Sequence, residues 1–228
     1  MDKIRLGRTE LMVSKTSFGA LPIQRISKQA AVDLMRLAFD NGVNYYDTAN
    51  AYSDSEEKIG EAFHSVRDQI VISTKSMAKT KEGVLEHIEK SLRSMRTDYV
   101  DLFQFHNPAI LPNPEDPDGA YAGAVEAQKR GYIRHIGITN HRLDVAFKAV
   151  ESGDFATMQF PFSYLSGQGE VDLIAKCKEA DMGFIAMKGL AGGLLTNSRA
   201  CYVFMQQHPT VVPIWGCNGK RKWSNGWL

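Results

Sequence analysis

The stretch "VNYYDTANAYSDSE", residues 43–56, runs from an aromatic, apolar segment into an acid, a tyrosine and then more acids. A strand that ends in Asp47 and hands over to a helix needs a polar connection, and a capped loop would satisfy that need. The sharper reading puts Asp47 and Tyr52 at the mouth of a barrel, where strand ends carry the chemistry. Counting strands outward from this one decides between them. Short β-rich runs recur as "SFGAL" (17–21), "VNYYD" (43–47), "IVIST" (70–74), "VDLFQF" (100–105), "IRHIGIT" (133–139), "TMQFPF" (157–162), "GFIAM" (183–187) and "TVVPIW" (210–215), which makes eight. Amphipathic segments lie between them. "SKQAAVDLMRLAFDNG" starts at Ser27, a helix cap, and stops at Gly42. "KEGVLEHIEKSLRSM" sets Val84, Leu85, Ile88, Leu92 and Met95 at helical spacing, and "EVDLIAKCKEADMG" repeats the pattern up to Gly183. An open dinucleotide-binding sheet would carry a Gly-x-Gly-x-x-Gly turn after its first strand, whereas "PIQRIS" follows "SFGAL" here. The expectation is an α/β fold of the (β/α)₈ TIM-barrel type in one domain over residues 1–228, preceded by a hairpin, "IRLGRTELMVS", that turns at Gly7 and Arg8.

Composition excludes several classes. The 228 residues hold 27 basic and 26 acidic side chains, so the concentrated positive charge that nucleic acid requires is absent. Lys220, Arg221 and Lys222 form one short basic run, read as a solvated surface feature. Cys177, Cys201 and Cys217 are too few and too scattered for a disulfide scaffold, and no metal site is expected from them. Cys177 falls inside a helical pattern and reads as a core residue. The charged start, "MDKIRLGRTELMVSKTS", lacks the apolar centre of a signal peptide, and no run approaches a membrane span. A cytoplasmic location without membrane or nucleic-acid partners is the expectation.

Laid side by side, the strand ends carry more reactive groups than loops need. The second strand ends at Asp47 with Tyr52 just beyond, the third at Lys75, the fourth at His106, the fifth at Thr139 and Asn140, and the sixth carries Gln159. Each has an ordinary reading as a solvated lysine, a structural histidine or a helix cap. Their coincidence on neighbouring strand ends favours one pocket.

These residues in this order resemble the aldo-keto reductases, in particular a bacterial subgroup. The resemblance runs through "LGRTELMVSKTSFGA", "DTANAY", "STK", "DYVDLFQFH", "GYIRHIGITN", "MQFPFS" and "IAMKGLAGGLL". It implies an NADPH-dependent oxidoreductase that reduces an aldehyde or ketone, with NADH as a possible cofactor. Tyr52 would donate the proton; Lys75 would stabilise phenolate, against an ordinary phenol pKa of about 10. Asp47 would anchor the lysine, and His106 would orient the carbonyl oxygen. Thr139, Asn140 and Gln159 would hold the nicotinamide carboxamide. The cofactor would then run past Gly19 and Ala20 and under Lys188, Gly189, Leu190, Ala191, Gly192 and Gly193, with Met187 packing where many members stack an aromatic ring. The resemblance implies no iron-sulfur cluster here.

It stops after "VVPIWG", where the chain reads "CNGKRKWSNGWL" in place of a last helix and a C-terminal loop. The domain is therefore expected to be incomplete at its C-terminus. Loss of that helix would uncover the flank of the eighth and first strands, favouring a homo-oligomer and weaker cofactor binding. A second reading, of another class, is a cofactor-binding or interaction module of the same fold with little turnover. A third is a defective gene product with no role. Substrate is expected to be a small carbonyl compound bounded by "LPIQR" (21–25) and the segment 107–119, with Leu21, Ile23 and Phe105 as an apolar wall.

Overall fold

The computed structural model describes residues 1–219. Two short strands, β1 (Lys3–Arg5) and β2 (Met12–Ser14), pair antiparallel around a 3₁₀ turn at Gly7–Thr9. Eight parallel strands then close a barrel: β3 (Ser17–Gly19), β4 (Tyr45–Asp47), β5 (Val71–Ser76), β6 (Val100–His106), β7 (Ile133–Thr139), β8 (Thr157–Pro161), β9 (Gly183–Met187) and β10 (Val211–Gly216). Each pairs with its predecessor, and β10 closes on β3 through Ile214–Ser17, Trp215–Phe18 and Gly216–Gly19. Helices α1 (Lys28–Asp40), α2 (Ser55–Phe63), α3 (Lys81–Met95), α4 (Ala120–Lys129), α5 (Leu143–Ser152), α6 (Gln168–Glu179) and α7 (Ser198–Gln206) fill the connections. The expected cap is present, with Ser27 Oγ accepting from the Ala30 N–H.

The alternation of side chains along each strand divides the core in two. One set, including Phe103, Phe105, Ile136 and Phe184, packs outward against the helices. The inward set is apolar in its lower layer, where Tyr45, Val71, Leu102, Ile185, Val212 and Ile214 meet Leu6 and Val13 of the hairpin. The next inward residues up the strands are polar: Asp47 after Tyr45, Ser73 and Lys75 after Val71, Gln104 and His106 after Leu102. The hairpin thus plugs the bottom of the barrel, and the polar layer lies towards the C-terminal ends.

Three expectations change here. Phe105 does not line a pocket: it points outward into an aromatic cluster with Phe103, Tyr121 and Phe155. Ile23 is fully buried, leaving Leu21, 47% exposed, as the remaining member of the supposed wall. The flank of the first and last barrel strands is not uncovered either, since Phe18, Val211, Val212 and Trp215 are at most 1% exposed and Ile214 7%. Exposed apolar side chains lie elsewhere, among them Tyr164, Leu165, Leu194 and Val203 around α7 and the loop before α6, and Met77 and Ile110 in loops after β5 and β6. Among the described residues no helix is long and apolar enough to cross a membrane. Cys177 is buried as expected, its thiol pushed up to about 12 by burial. The run Lys220, Arg221 and Lys222 lies outside the described residues.

Candidate active site

Parity along β4, β5 and β6 sends Asp47, Lys75 and His106 to the same interior, and the turn after β4 carries Tyr52 over it. Lys75 is 1% exposed, and its Nζ donates to Asp47 Oδ2 at 2.6 Å and to the Thr48 carbonyl at 2.6 Å. A buried ammonium is tolerable only when paired and hydrogen-bonded, as this one is. The Lys75 Nζ lies 5.3 Å from the Tyr52 ring centroid, and the Tyr52 and His106 rings meet edge to face at 5.8 Å. The four residues picked out by sequence therefore share one site.

Three further residues belong to it. Ser73 Oγ donates to Asp47 Oδ1 at 2.6 Å and accepts from Tyr45 Oη at 3.0 Å. Gln104 Nε2 donates to Asp47 Oδ1 at 3.3 Å and to Gln159 Oε1 at 2.8 Å. Gly137 makes room chiefly for Thr157 and, less tightly, for Gln104: a Cβ there would sit 2.1 Å from Thr157 Oγ1 and 3.3 Å from Gln104 Cγ. Ser73 and Gln104 lie within apolar runs, where a sequence reader takes them as strand filler. The available signal is parity, because Gln104 stands two residues before His106 and Ser73 two before Lys75.

Burial and charge set the ionisation of the two groups nearest the opening. Burial raises the Tyr52 phenol above its ordinary value; Lys75 pulls it down but does not win, and Asp47 adds to the rise. Lys75 thus acts on the phenol in the expected direction, with desolvation the larger effect. At neutral pH the phenol holds its proton. His106 is pushed down to about 4, by burial first and then by Lys75, so its imidazole is neutral at pH 7. Its Nδ1 is buried and without a hydrogen-bond partner among the described residues.

The residues expected to hold a cofactor are arranged as follows. Gln159 lies beside Asp47, its Nε2 at 3.5 Å from Asp47 Oδ2 and 3.8 Å from Met187 Sδ. Thr139 Oγ1 accepts from the Asn107 N–H. Asn140 braces its own loop, donating to the Pro108 carbonyl and accepting from the His141 and Arg142 N–H groups, each at 2.9 Å. Gly19 ends β3 and Ala20 follows it, with the Ala20 N–H donating to the Asp47 carbonyl. After β9 the backbone turns left-handed at Lys188, Ala191, Gly192 and Gly193, with φ of 59°, 48°, 71° and 102°. Gly192 and Gly193 face open space, whereas Gly189 is packed against the Trp215 ring and a Cβ there would lie 2.5 Å from it. Leu190 is half-buried between them.

Comparison with known proteins supplies the context for this geometry. The model of the aldo/keto reductase family matches residues 15–217. An uncharacterized oxidoreductase of Bacillus subtilis strain 168, YqkF, is 28% identical over 211 residues, which cover 86% of this chain and 67% of that protein. The aldo-keto reductase YhdN of the same organism is 29% identical over 213 residues, 86% of this chain and 61% of that protein. The chain thus spans about three fifths to two thirds of the length of these relatives. A solved aldo-keto reductase from Klebsiella pneumoniae in complex with NADPH matches with a TM-score of 0.80 at 23% identity, over 97% of this chain and 86% of that one, which is a likeness of fold. The family match begins just before the first barrel strand and ends just after the last, so the whole barrel falls inside it, and the chain belongs to the aldo/keto reductase family.

Proposed function

We propose that this chain reduces an aldehyde or ketone to an alcohol, with a nicotinamide cofactor as the reductant and Tyr52 as the proton donor. The carrying observation is the Lys75 ammonium, 2.6 Å from the Asp47 carboxylate and 5.3 Å from the ring of a phenol that is itself in edge contact with His106. Family membership supports an oxidoreductase, and the NADPH in the Klebsiella structure supports that cofactor.

The loop after β9 fits a dinucleotide. Gly192 and Gly193 hold positive φ with open space where side chains would be, so a phosphate can approach their backbone. Lys188, Gly189, Leu190 and Ala191 would form the rest of that cradle. The polar floor fits a carboxamide: Gln159 supplies donors and an acceptor beside Gln104 Oε1, a buried oxygen with no partner among the described residues. Thr139, Asn140 and Met187 would complete the seat, with Asn140 exchanging its backbone partners for the ligand.

When bound, the cofactor supplies hydride to the carbonyl carbon. The chain's residues handle the oxygen. His106, neutral at pH 7, keeps one ring N–H to donate to the carbonyl oxygen and orient it. Tyr52, kept protonated by burial, passes its proton to the alkoxide that forms. Lys75 limits the cost of the phenolate left behind, and Asp47, held by Ser73 and Gln104, fixes the lysine. Tyr52→Phe is the direct test. General acid catalysis is worth about 10²- to 10⁴-fold, so carbonyl reduction followed by cofactor oxidation should fall by that factor while cofactor affinity stays within about twofold. Equal turnover in the variant would remove Tyr52 from the mechanism.

A further inference from the structure

Lys58 carries a charge that the site above does not use, and it is 1% exposed. Burying an ammonium is costly unless all its N–H groups find acceptors. Its Nζ donates to the Ile23 carbonyl at 2.9 Å, the Ile26 carbonyl at 2.8 Å and Asp54 Oδ1 at 2.9 Å, which uses its three donors. Two of these acceptors belong to one short piece of backbone, the 3₁₀ turn Leu21–Arg25 and the residue after it. The third stands two residues beyond Tyr52.

Neighbouring side chains make the same connection. Ser53 Oγ donates to Gln24 Oε1 at 3.1 Å. Ser55 Oγ lies 3.1 Å from the Ala20 carbonyl and 2.9 Å from Thr48 Oγ1, the residue whose carbonyl accepts from Lys75. Residues 53–58 therefore grip residues 20–26. The grip matters at the two ends of the turn, where the bonds are long: Ile23 N–H to the Ala20 carbonyl at 3.3 Å and Ile26 N–H to the Ile23 carbonyl at 3.2 Å. As the connection leaving β3 it overhangs the barrel mouth, with Leu21 exposed at its leading edge.

We infer that Lys58 is a positioning residue that clamps the turn Leu21–Arg25 to the turn carrying Tyr52, and so fixes the width of the entrance and the size of carbonyl substituent that reaches the phenol. This rests on the carbonyl-reductase reading for its substrate side, while the clamp itself does not. A methionine at position 58 would keep most of the volume and remove the donors to both carbonyls.

The test compares wild type, Lys58→Met and Lys58→Gln, with Asp54→Asn and Gln24→Ala as partial releases at the rim should Lys58→Met fail to fold. Three readouts are taken: tryptic cleavage after the exposed Arg25, amide exchange at Ile26, and KM and kcat for a small aliphatic aldehyde against a bulky aromatic one. Local release of the turn should speed cleavage and exchange by about tenfold or more in Lys58→Met, with the partial releases between it and wild type. The ratio of the two KM values should shift by about fivefold or more while kcat for the small aldehyde stays within about twofold. A purely structural lysine would lower the melting temperature and move both substrates together, leaving the ratio unchanged, and that result overturns the proposal. So does wild-type cleavage after Arg25 in the variants. If wild type turns over no carbonyl, the reductase reading fails by itself, and cleavage and exchange then uphold or overturn the clamp.

Discussion

Tyr52 shows how one position balances opposing physical effects. Burial raises its pKa and the Lys75 ammonium lowers it, with burial the larger. On the proposed reading Tyr52 is a general acid, which must hold its proton at the working pH; burial does this, and the nearby Lys75 ammonium would stabilise the phenolate once the proton left. Gln104 carries a testable part of the arrangement, bridging Asp47 and Gln159 from a position with no exposure. Replacing it with methionine keeps the volume and removes both donations. One of these bonds ends on the Asp47 carboxylate, where a hydrogen bond is worth about 1.5–3 kcal/mol, and at 3.3 Å it sits near the low end, so kcat/KM should fall roughly tenfold. Cofactor titration should show a parallel loss if the bridge also orients Gln159. Steady-state kinetics unchanged on both counts would mean that the bridge only fills space. Asp47, Tyr52, Lys75 and His106 were legible in the sequence because each interrupts or follows an apolar run at a strand end. Gln104 and Ser73 were not, because a polar residue within such a run looks like tolerance until the strand's inward face is known.

At the scale of elements, the bottom of the barrel is held by a different set of charges. Asp101, at the start of β6, accepts from Arg67 at 2.7 Å, from Arg134 at 3.0 Å and from the Ile72 N–H at 3.0 Å, while both guanidiniums lie 4.1 Å from the centroid of the Tyr99 ring. One carboxylate thereby ties β5, β6, β7 and the turn before β5. Its side chain is 2% exposed and that of Arg67 11%, so breaking the pair leaves a poorly solvated charge and costs about 3–5 kcal/mol in comparable sites. Asp101→Asn should lower stability by an amount approaching that range in denaturant titration, with kcat of the folded protein little changed, because the network is at the end of the barrel away from Tyr52. A large fall in kcat without loss of stability would contradict this division between a structural bottom and a reactive top. The strands themselves were legible to within a few residues, since period-two alternation bounded by turn residues is a strong signal. Helix α2 was not: its Glu56 and Lys58 look like a solvated face, yet both are buried. The Ile23 and Ile26 carbonyls and the Asp54 carboxylate around Lys58, and the hydroxyls of Thr74 and Ser91 around Glu56, explain why those charges can be inside.

For the whole molecule, the consequence of building a polar layer inside a barrel is a stability that depends on pH. His106 is held down to about 4 by burial and by Lys75, while His135, His141 and His208 are also lowered, in each case chiefly by burial. In the unfolded chain these imidazoles take up protons near pH 6.5. Between about 6.5 and 4 the unfolded state thus binds more protons than the folded state at His106, and stability rises with pH across that window. Buried Glu56 works the other way: its carboxyl is raised by desolvation, so the folded state takes up a proton first as pH falls below that raised value, offsetting part of the loss. Four histidines against one glutamate do not decide the matter by number, because His135, His141 and His208 keep contact with solvent and contribute little. His106 does, since it lies next to a buried ammonium that cannot move away. The melting temperature should therefore fall from pH 7 to pH 5, and His106→Asn should flatten that fall while leaving the molecule folded at pH 7. A wild-type melting temperature that stays constant or rises on acidification would show that the proton taken up by Glu56 outweighs the one refused by His106.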